Sequence, residues 1–189
     1  MPLPHSAHLS RPWRIHEIAV DFGLEDVWLL PTPGGPADFP RLVALLAATD
    51  PAAGASRLAA LLWAVRWKVG GLLGWDDDDA GVGTRVPSLR DRLPADLRGG
   101  TQGPPFTHLS FTSLYLTDSE WAAEMANETM HGIMHIGWVQ TDDGDYRGQM
   151  AVLVKPNRVL GSLYMAAIKP FRHLVVYPPA MREIERAWR

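Results

Sequence analysis

Two spacings of apolar residues divide the chain. In its second half they alternate. Residues Phe111 to Thr117, "FTSLYLT", read as a strand, and so do Thr129 to Val139, "TMHGIMHIGWV", and Arg147 to Lys155. The stretch "QTDDGDY" between the last two carries turn chemistry, which makes the run a set of hairpins and therefore an antiparallel sheet. Trp121 to Ala126 lies between two strand patterns and reads as a further strand, although Ser119 before it has the chemistry of a helix cap. Near the start, Trp13 to Phe22, "WRIHEIAVDF", alternates loosely and reads as a strand, and Val27 to Leu30 as a second extended piece before "PTPGGP".

Helical spacing marks three other regions. Leu42, Val43, Leu45 and Leu46 form a stripe behind Asp38 as cap and Pro40 in the first turn. Leu58, Leu61, Leu62, Val65, Val69, Leu72 and Leu73 follow the i, i+3, i+4, i+7 rule between Ser56 and Gly74. Behind Asn157, the positions Leu160, Leu163, Tyr164, Ala167, Ile168, Phe171, Leu174 and Val175 make a long stripe, with Pro170 kinking it and Pro178 and Pro179 breaking it. The expected class is α+β: a curved antiparallel sheet wrapped around one long C-terminal helix, with two short helices between the first strand and the rest. All 189 residues form one domain, and residues 76–105 form a long loop with one short helical turn near Ser88 to Leu93. A loop of that length in a compact domain is functional or mobile, and a lid is one role for it.

Composition narrows the partners. The net charge is −3, and the cations are scattered among acids without a basic stripe, so nucleic acid is not an expected partner. No cysteine is present, which excludes disulfides and thiolate chemistry and fits a reducing compartment. The opening "MPLPHSAHLSRPW" lacks the apolar segment of a secretory signal. The longest apolar run, Leu58 to Val65, falls short of the ~18 residues of a membrane span. A cytoplasmic protein with no transmembrane segment is expected, and the preference for Arg over Lys suggests a GC-rich bacterial genome.

The topology resembles the helix-grip fold of the START-like, polyketide-cyclase-like (SRPBCC) superfamily. Within it, "LGSLYMAAIKPFRHLVVY" (Leu160 to Tyr177), with weaker support from "RWKVGGLLGW" (Arg66 to Trp75), resembles a bacterial domain-of-unknown-function family, DUF2867. That family's pattern runs Gly, Leu-Tyr, then Pro-Phe-His. This chain departs from it at Arg172, which displaces the histidine to His173. The resemblance implies a ligand cavity between sheet and helix. Some family members join this domain to a short-chain-dehydrogenase-like one, which implies an oxidoreductase as a possible partner.

The candidate residues follow from side-chain parity. His131 and His135 have the spacing of a helical metal pair, but Gly132 stands where a zincin has its glutamate. On a strand they share a face with Ile133, while Met130, Met134, Ile136 and Trp138 share the other. The apolar face is expected to look inward and the histidines outward, with no metal. Met134, Trp138, Met150 and Val152, opposite Tyr164 and Phe171, are ligand contacts or ordinary core. Arg172 and His173, beside Lys169, line the mouth of the cavity or a solvated helix face. His16 and Glu17, adjacent on a strand, point to opposite faces, and whichever points inward is a general-base candidate. The run Asp76 to Asp79 fails as a calcium loop, because its fifth position is Ala80 and its twelfth Pro87.

The functional expectation is a protein that holds a hydrophobic or aromatic small molecule without a cofactor. A sharper form is a cyclase- or isomerase-like enzyme in which a buried histidine or acid moves a proton. The alternatives are a non-catalytic partner or ligand carrier working beside an oxidoreductase, and a membrane-surface lipid handler using Pro170, Phe171 and Arg172.

Overall fold

A computed structural model describes residues 1–50, 82–83, 86–127, 129–157 and 177–189. The helix expected from Ser56, the Asp76 to Asp79 run and the long helix expected after Asn157 lie outside the described residues. So do Tyr164, Lys169, Phe171, Arg172 and His173.

The architecture is α+β. Two single-turn helices, α1 (Ser6–Leu9) and α2 (Ile15–Ile18), precede β1 (Gly23–Leu29) and α3 (Phe39–Ala48). A 3₁₀ turn at Leu89–Arg92 and α4 (Ala95–Arg98) lead into four strands. These are β2 (Thr112–Leu116), β3 (Glu120–Ala126), β4 (Met130–Gln140) and β5 (Tyr146–Pro156), followed by α5 (Tyr177–Trp188). Among the described residues the five strands form one sheet in the order β1-β5-β4-β3-β2, with every neighbouring pair antiparallel. The two 11-residue strands, β4 and β5, lie side by side near its centre.

The turns are set by local chemistry. Between β4 and β5, Gly144 takes a positive φ of 88°, which a side chain would resist, and Thr141 closes the loop by donating its N–H to the Asp145 carbonyl. Between β3 and β4, the Asn127 side-chain oxygen accepts from the Thr129 and Met130 amides.

Three expectations change. Trp13 to Phe22 is not a strand: Ile15, Ile18 and Ala19 are buried while Val20 is the most exposed large apolar side chain described. A strand would have buried Val20 with Ile18 and Phe22. The burial follows helical spacing, and the first strand starts at Gly23. Pro178 and Pro179, expected to break a helix, both lie within the described α5, Tyr177–Trp188. Asp38 precedes α3, but its carboxylate accepts from the Gly35 amide rather than capping the helix.

Both faces of the sheet are covered. On one, α2 and the leucines of the 3₁₀ turn and α4 (Leu89, Leu93, Leu97) pack on Ile133, Ala122, Ala151 and Leu153. This buries the described part of the 76–105 segment at its leucines. On the other, α3 and α5 pack on Trp28, Ile136, Trp138 and Met150. Among the described residues, no helix is long and apolar enough to cross a membrane.

Candidate functional site

The strict alternation of β4 and β5 gives each face its own chemistry. Trp138 and Met150 belong to the core on one face, and Met134 packs against it. The register places Met130 on that face too, and Met125 opposite Gly132. The four methionines of the strands, Met125, Met130, Met134 and Met150, therefore share one side of the sheet. Trp138 holds the helices. Its ring lies 6.1 Å from Phe39 and 6.2 Å from Trp188, and its indole N–H donates to the Gly35 carbonyl.

Among the described residues, the centre of this face is less buried than the opposite face. Met134 and Val152 are cross-strand partners on the two central strands, and both are only half-buried. Their sequence neighbours on the opposite face, Ile133, His135, Ala151 and Leu153, are buried. Met125 and Met130 are half-buried as well. A β-bulge between Leu24 and Asp26 sets Asp26 opposite Val152. A buried carboxylate thus ends the row, about 10 Å from Met134 across two strand spacings. Asp26 accepts a hydrogen bond from the Tyr177 hydroxyl at 2.9 Å, and the Tyr177 ring lies 4.7 Å from Trp28.

The opposite face carries a buried acid–histidine network, and here the outward orientation expected for His131 and His135 is overturned. His135 has no exposed surface and His131 almost none. Parity separates them from Trp138 correctly. Outward was the wrong inference because a second layer, α2 with Leu89, Leu93 and Leu97, covers that face.

Each histidine meets a glutamate diagonally across the β3–β4 pair. His135 Nε2 lies 2.9 Å from Glu120 Oε2, and His131 Nε2 lies 2.8 Å from Glu124 Oε2. Glu120 also accepts the Arg14 backbone N–H on both oxygens and the Tyr115 hydroxyl. Glu124 accepts from the Ser88 hydroxyl and the Leu89 amide. Burial alone would raise both carboxyl pKa values. For Glu120 the bonds from His135, Arg14 and Tyr115 outweigh it; for Glu124 those from His131, Ser88 and Leu89 do. Both stay below the usual carboxylate range. Burial pushes the Tyr115 hydroxyl up, and the adjacent Glu120 charge adds to this.

From His135 the network continues outward. His135 Nδ1 lies 3.1 Å from His8 Nε2, and His8 Nδ1 lies 3.2 Å from the half-buried His16 Nε2. Glu120 is ionised and accepts throughout, so it fixes the tautomers: His135, His8 and His16 each carry their proton on Nε2, and His135 and His8 accept on Nδ1. Burial, then the proximity of His135 and His16, pushes His8 down to about 3, and burial pushes His135 down. The three rings form a line, each nitrogen facing the next ring. Among the described residues, no group of three or more His, Asp and Glu side chains is arranged to hold a metal ion.

His16 therefore enters the network from a helix. Glu17 beside it is exposed and pairs with Arg14 at 3.3 Å. The sequence reading missed His8, Glu120, Glu124 and Tyr115. The available signal was Glu120 and Glu124, polar at even positions of a strand whose other even residues are Ala122 and Ala126.

A family model described as "Protein of unknown function (DUF2867)" matches residues 18–179. No curated protein and no solved structure matches the chain.

Proposed function

The chain belongs to the DUF2867 family, and we propose that it holds a hydrophobic or aromatic small molecule against the methionine face of its sheet. The carrying observation is the half-buried pair Met134 and Val152 on the two central strands, whose neighbours on the opposite face, Ile133, His135, Ala151 and Leu153, are buried. Met125, Met130 and Met150 surround that gap. Methionine is unbranched and polarizable, so such a floor adapts to ligand shape better than a packed aliphatic core does.

Trp138 then acts as a wall residue that fixes α3 and α5, and the contact surface centres on Met134 and Val152. Asp26 and Tyr177 supply a carboxylate and a hydroxyl at the end of the floor. That couple favours the cyclase- or isomerase-like form of the proposal, in which a carboxylate takes a proton from a bound substrate while an apolar wall fixes its shape. The finer fold reading, a helix-grip arrangement of the START-like superfamily, goes with this proposal. The antiparallel sheet and its C-terminal helix support it.

Native mass spectrometry of freshly purified protein is the test. A retained small molecule is expected on the wild type and is lost in Val152→Trp, which fills the gap. Equal retention by both proteins, or a wild type that retains nothing and takes up no added naphthalene-based probe, contradicts the proposal.

A further inference from the structure

The histidine line belongs to the other face and has no part in that binding site. We propose that the hydrogen-bonded chain His16–His8–His135, whose rings meet edge to face, is an acid-operated latch: it docks residues 1–18 on the sheet at neutral pH and releases them when the medium acidifies.

The docked segment depends on this histidine chain. Its helices α1 and α2 have four residues each, too few to persist alone. They are held by the burial of His8, Trp13, Ile15 and Ile18, by bonds to β1 (Leu3 N–H to Val27, Leu29 N–H to Met1, the N-terminal ammonium to Leu29), by Gln149 Nε2 donating to the Ala7 carbonyl, by Arg14 through its N–H to Glu120 and its guanidinium to Asp96, and by Arg92 donating to the Ile18 carbonyl. His8 is central, with one ring nitrogen on β4 and the other on α2.

Only the neutral histidine chain fits. With the tautomers set by Glu120, each N···N gap holds one proton. A second proton on His8 would point N–H against N–H at His16, unless His16 moved its own proton to Nδ1. Even then a cation would lie between two imidazoles. The surrounding groups are already engaged, apart from Gln149 Oε1 and Trp13 Nε1, which are buried without a hydrogen-bond partner among the described residues. At the N-cap of α2, Arg14 is paired with Asp96 of α4 and with the exposed Glu17. On β3, Glu120 holds Arg14 N–H, Tyr115 of β2 and His135. On β5, Gln149 faces Ala7. The Trp13 ring lies 6.3 Å away. Among the described residues no carboxylate pairs with His8 itself.

The sign follows from linkage. A released His8 titrates near its ordinary 6.5, whereas docked it is held down to about 3. The stabilisation from neutral His8 is thus complete above 6.5. It is lost as pH falls from there toward 3, at about tenfold in the docking equilibrium per pH unit. Glu120 and Glu124 remain ionised until well below this onset. The sheet therefore keeps its buried pairs in the window where the latch opens.

Amide hydrogen exchange read by mass spectrometry, corrected for intrinsic rates, tests this on the full chain. Between about pH 7.5 and 5.5, protection of residues 1–18 should fall about tenfold while β4 and β5 keep theirs. His8→Gln keeps one donor and one acceptor but cannot titrate, and it should remove that fall. Unchanged protection of the segment, loss of protection across the whole sheet together, or the same fall in His8→Gln would each overturn the latch. If His8→Gln does not fold, a histidine NMR titration of the wild type decides. His8 should charge only as the segment is released, and a charged His8 in a docked segment overturns it.

Discussion

Glu120 Oε2 lies 2.9 Å from His135 Nε2, and the geometry repeats one step along the same strands with Glu124 and His131 at 2.8 Å. Each pair is diagonal: Glu120 stands opposite Gly137 and Glu124 opposite Ile133, two residues beyond the histidine each one reaches. Both carboxylates are buried and accept only from donors. Glu120→Gln keeps one acceptor oxygen and sets an N–H₂ against either the Arg14 N–H or the His135 and Tyr115 donors, and it removes the buried charge that His135 meets. It should lower unfolding free energy by about 3 kcal/mol, read by urea denaturation. A midpoint within error of the wild type would show that the carboxylate is not needed there.

Gly137 is where this pairing meets its cover. A Cβ at that position would stand 2.6 Å from the Trp13 ring, which is rigid and wedged beside His135. Gly137→Ala should cost about 1–3 kcal/mol by overpacking. The loss should appear in thermal unfolding as a lower Tm, with Trp13 fluorescence shifted towards that of exposed indole. An unshifted Tm would mean the α2 layer yields freely.

The methionine face predicts a different failure. Trp138 ties α3 and α5 through Phe39, Trp188 and Gly35. Trp138→Ala should therefore cost about 3–5 kcal/mol and raise hydrogen exchange first in those two helices. Loss of ligand retention at full stability would instead make Trp138 a direct contact.

Acid should unfold the protein in two stages. Glu120 and Glu124 have folded pKa values below the ordinary 4.5, so the stability they contribute is present above 4.5 and lost as pH falls through the folded values. The onset below 6.5 assigned to His8 precedes it. A plot of urea-derived stability against pH should fall gently from about 6.5 and steepen below about 4.5. In Glu120→Gln the lower limb should be shallower. A single limb common to both proteins would contradict the assignment.

Much of the sheet was legible because β4 and β5 alternate over eleven residues without a bulge, so parity alone separated the histidines from Trp138 and Met134. The chemistry of the histidine face was not legible. Parity says which side chains are together, not what covers them, and the cover came from Leu89, Leu93 and Leu97 in a segment read as a long loop with one short helical turn near Ser88 to Leu93; the turn is there, but nothing in its sequence said which face it packs on. The α2 error has a related cause. Four residues are too few for periodicity to separate Ile15–Ile18 as a helical pair from alternation, and only the exposure of Val20 decides it. His8, in a single-turn helix beside early prolines, had no pattern around it at all.

The most direct test of the central claim is methyl NMR of the methionines during titration with 1-anilinonaphthalene-8-sulfonate as the aromatic probe. The account predicts saturable shifts of the Met125, Met134 and Met150 methyls, no shift of exposed Met1, and loss of the response in Val152→Trp. Methyl signals on that face that stay in place while the probe binds elsewhere, or an undiminished response in Val152→Trp, would contradict it.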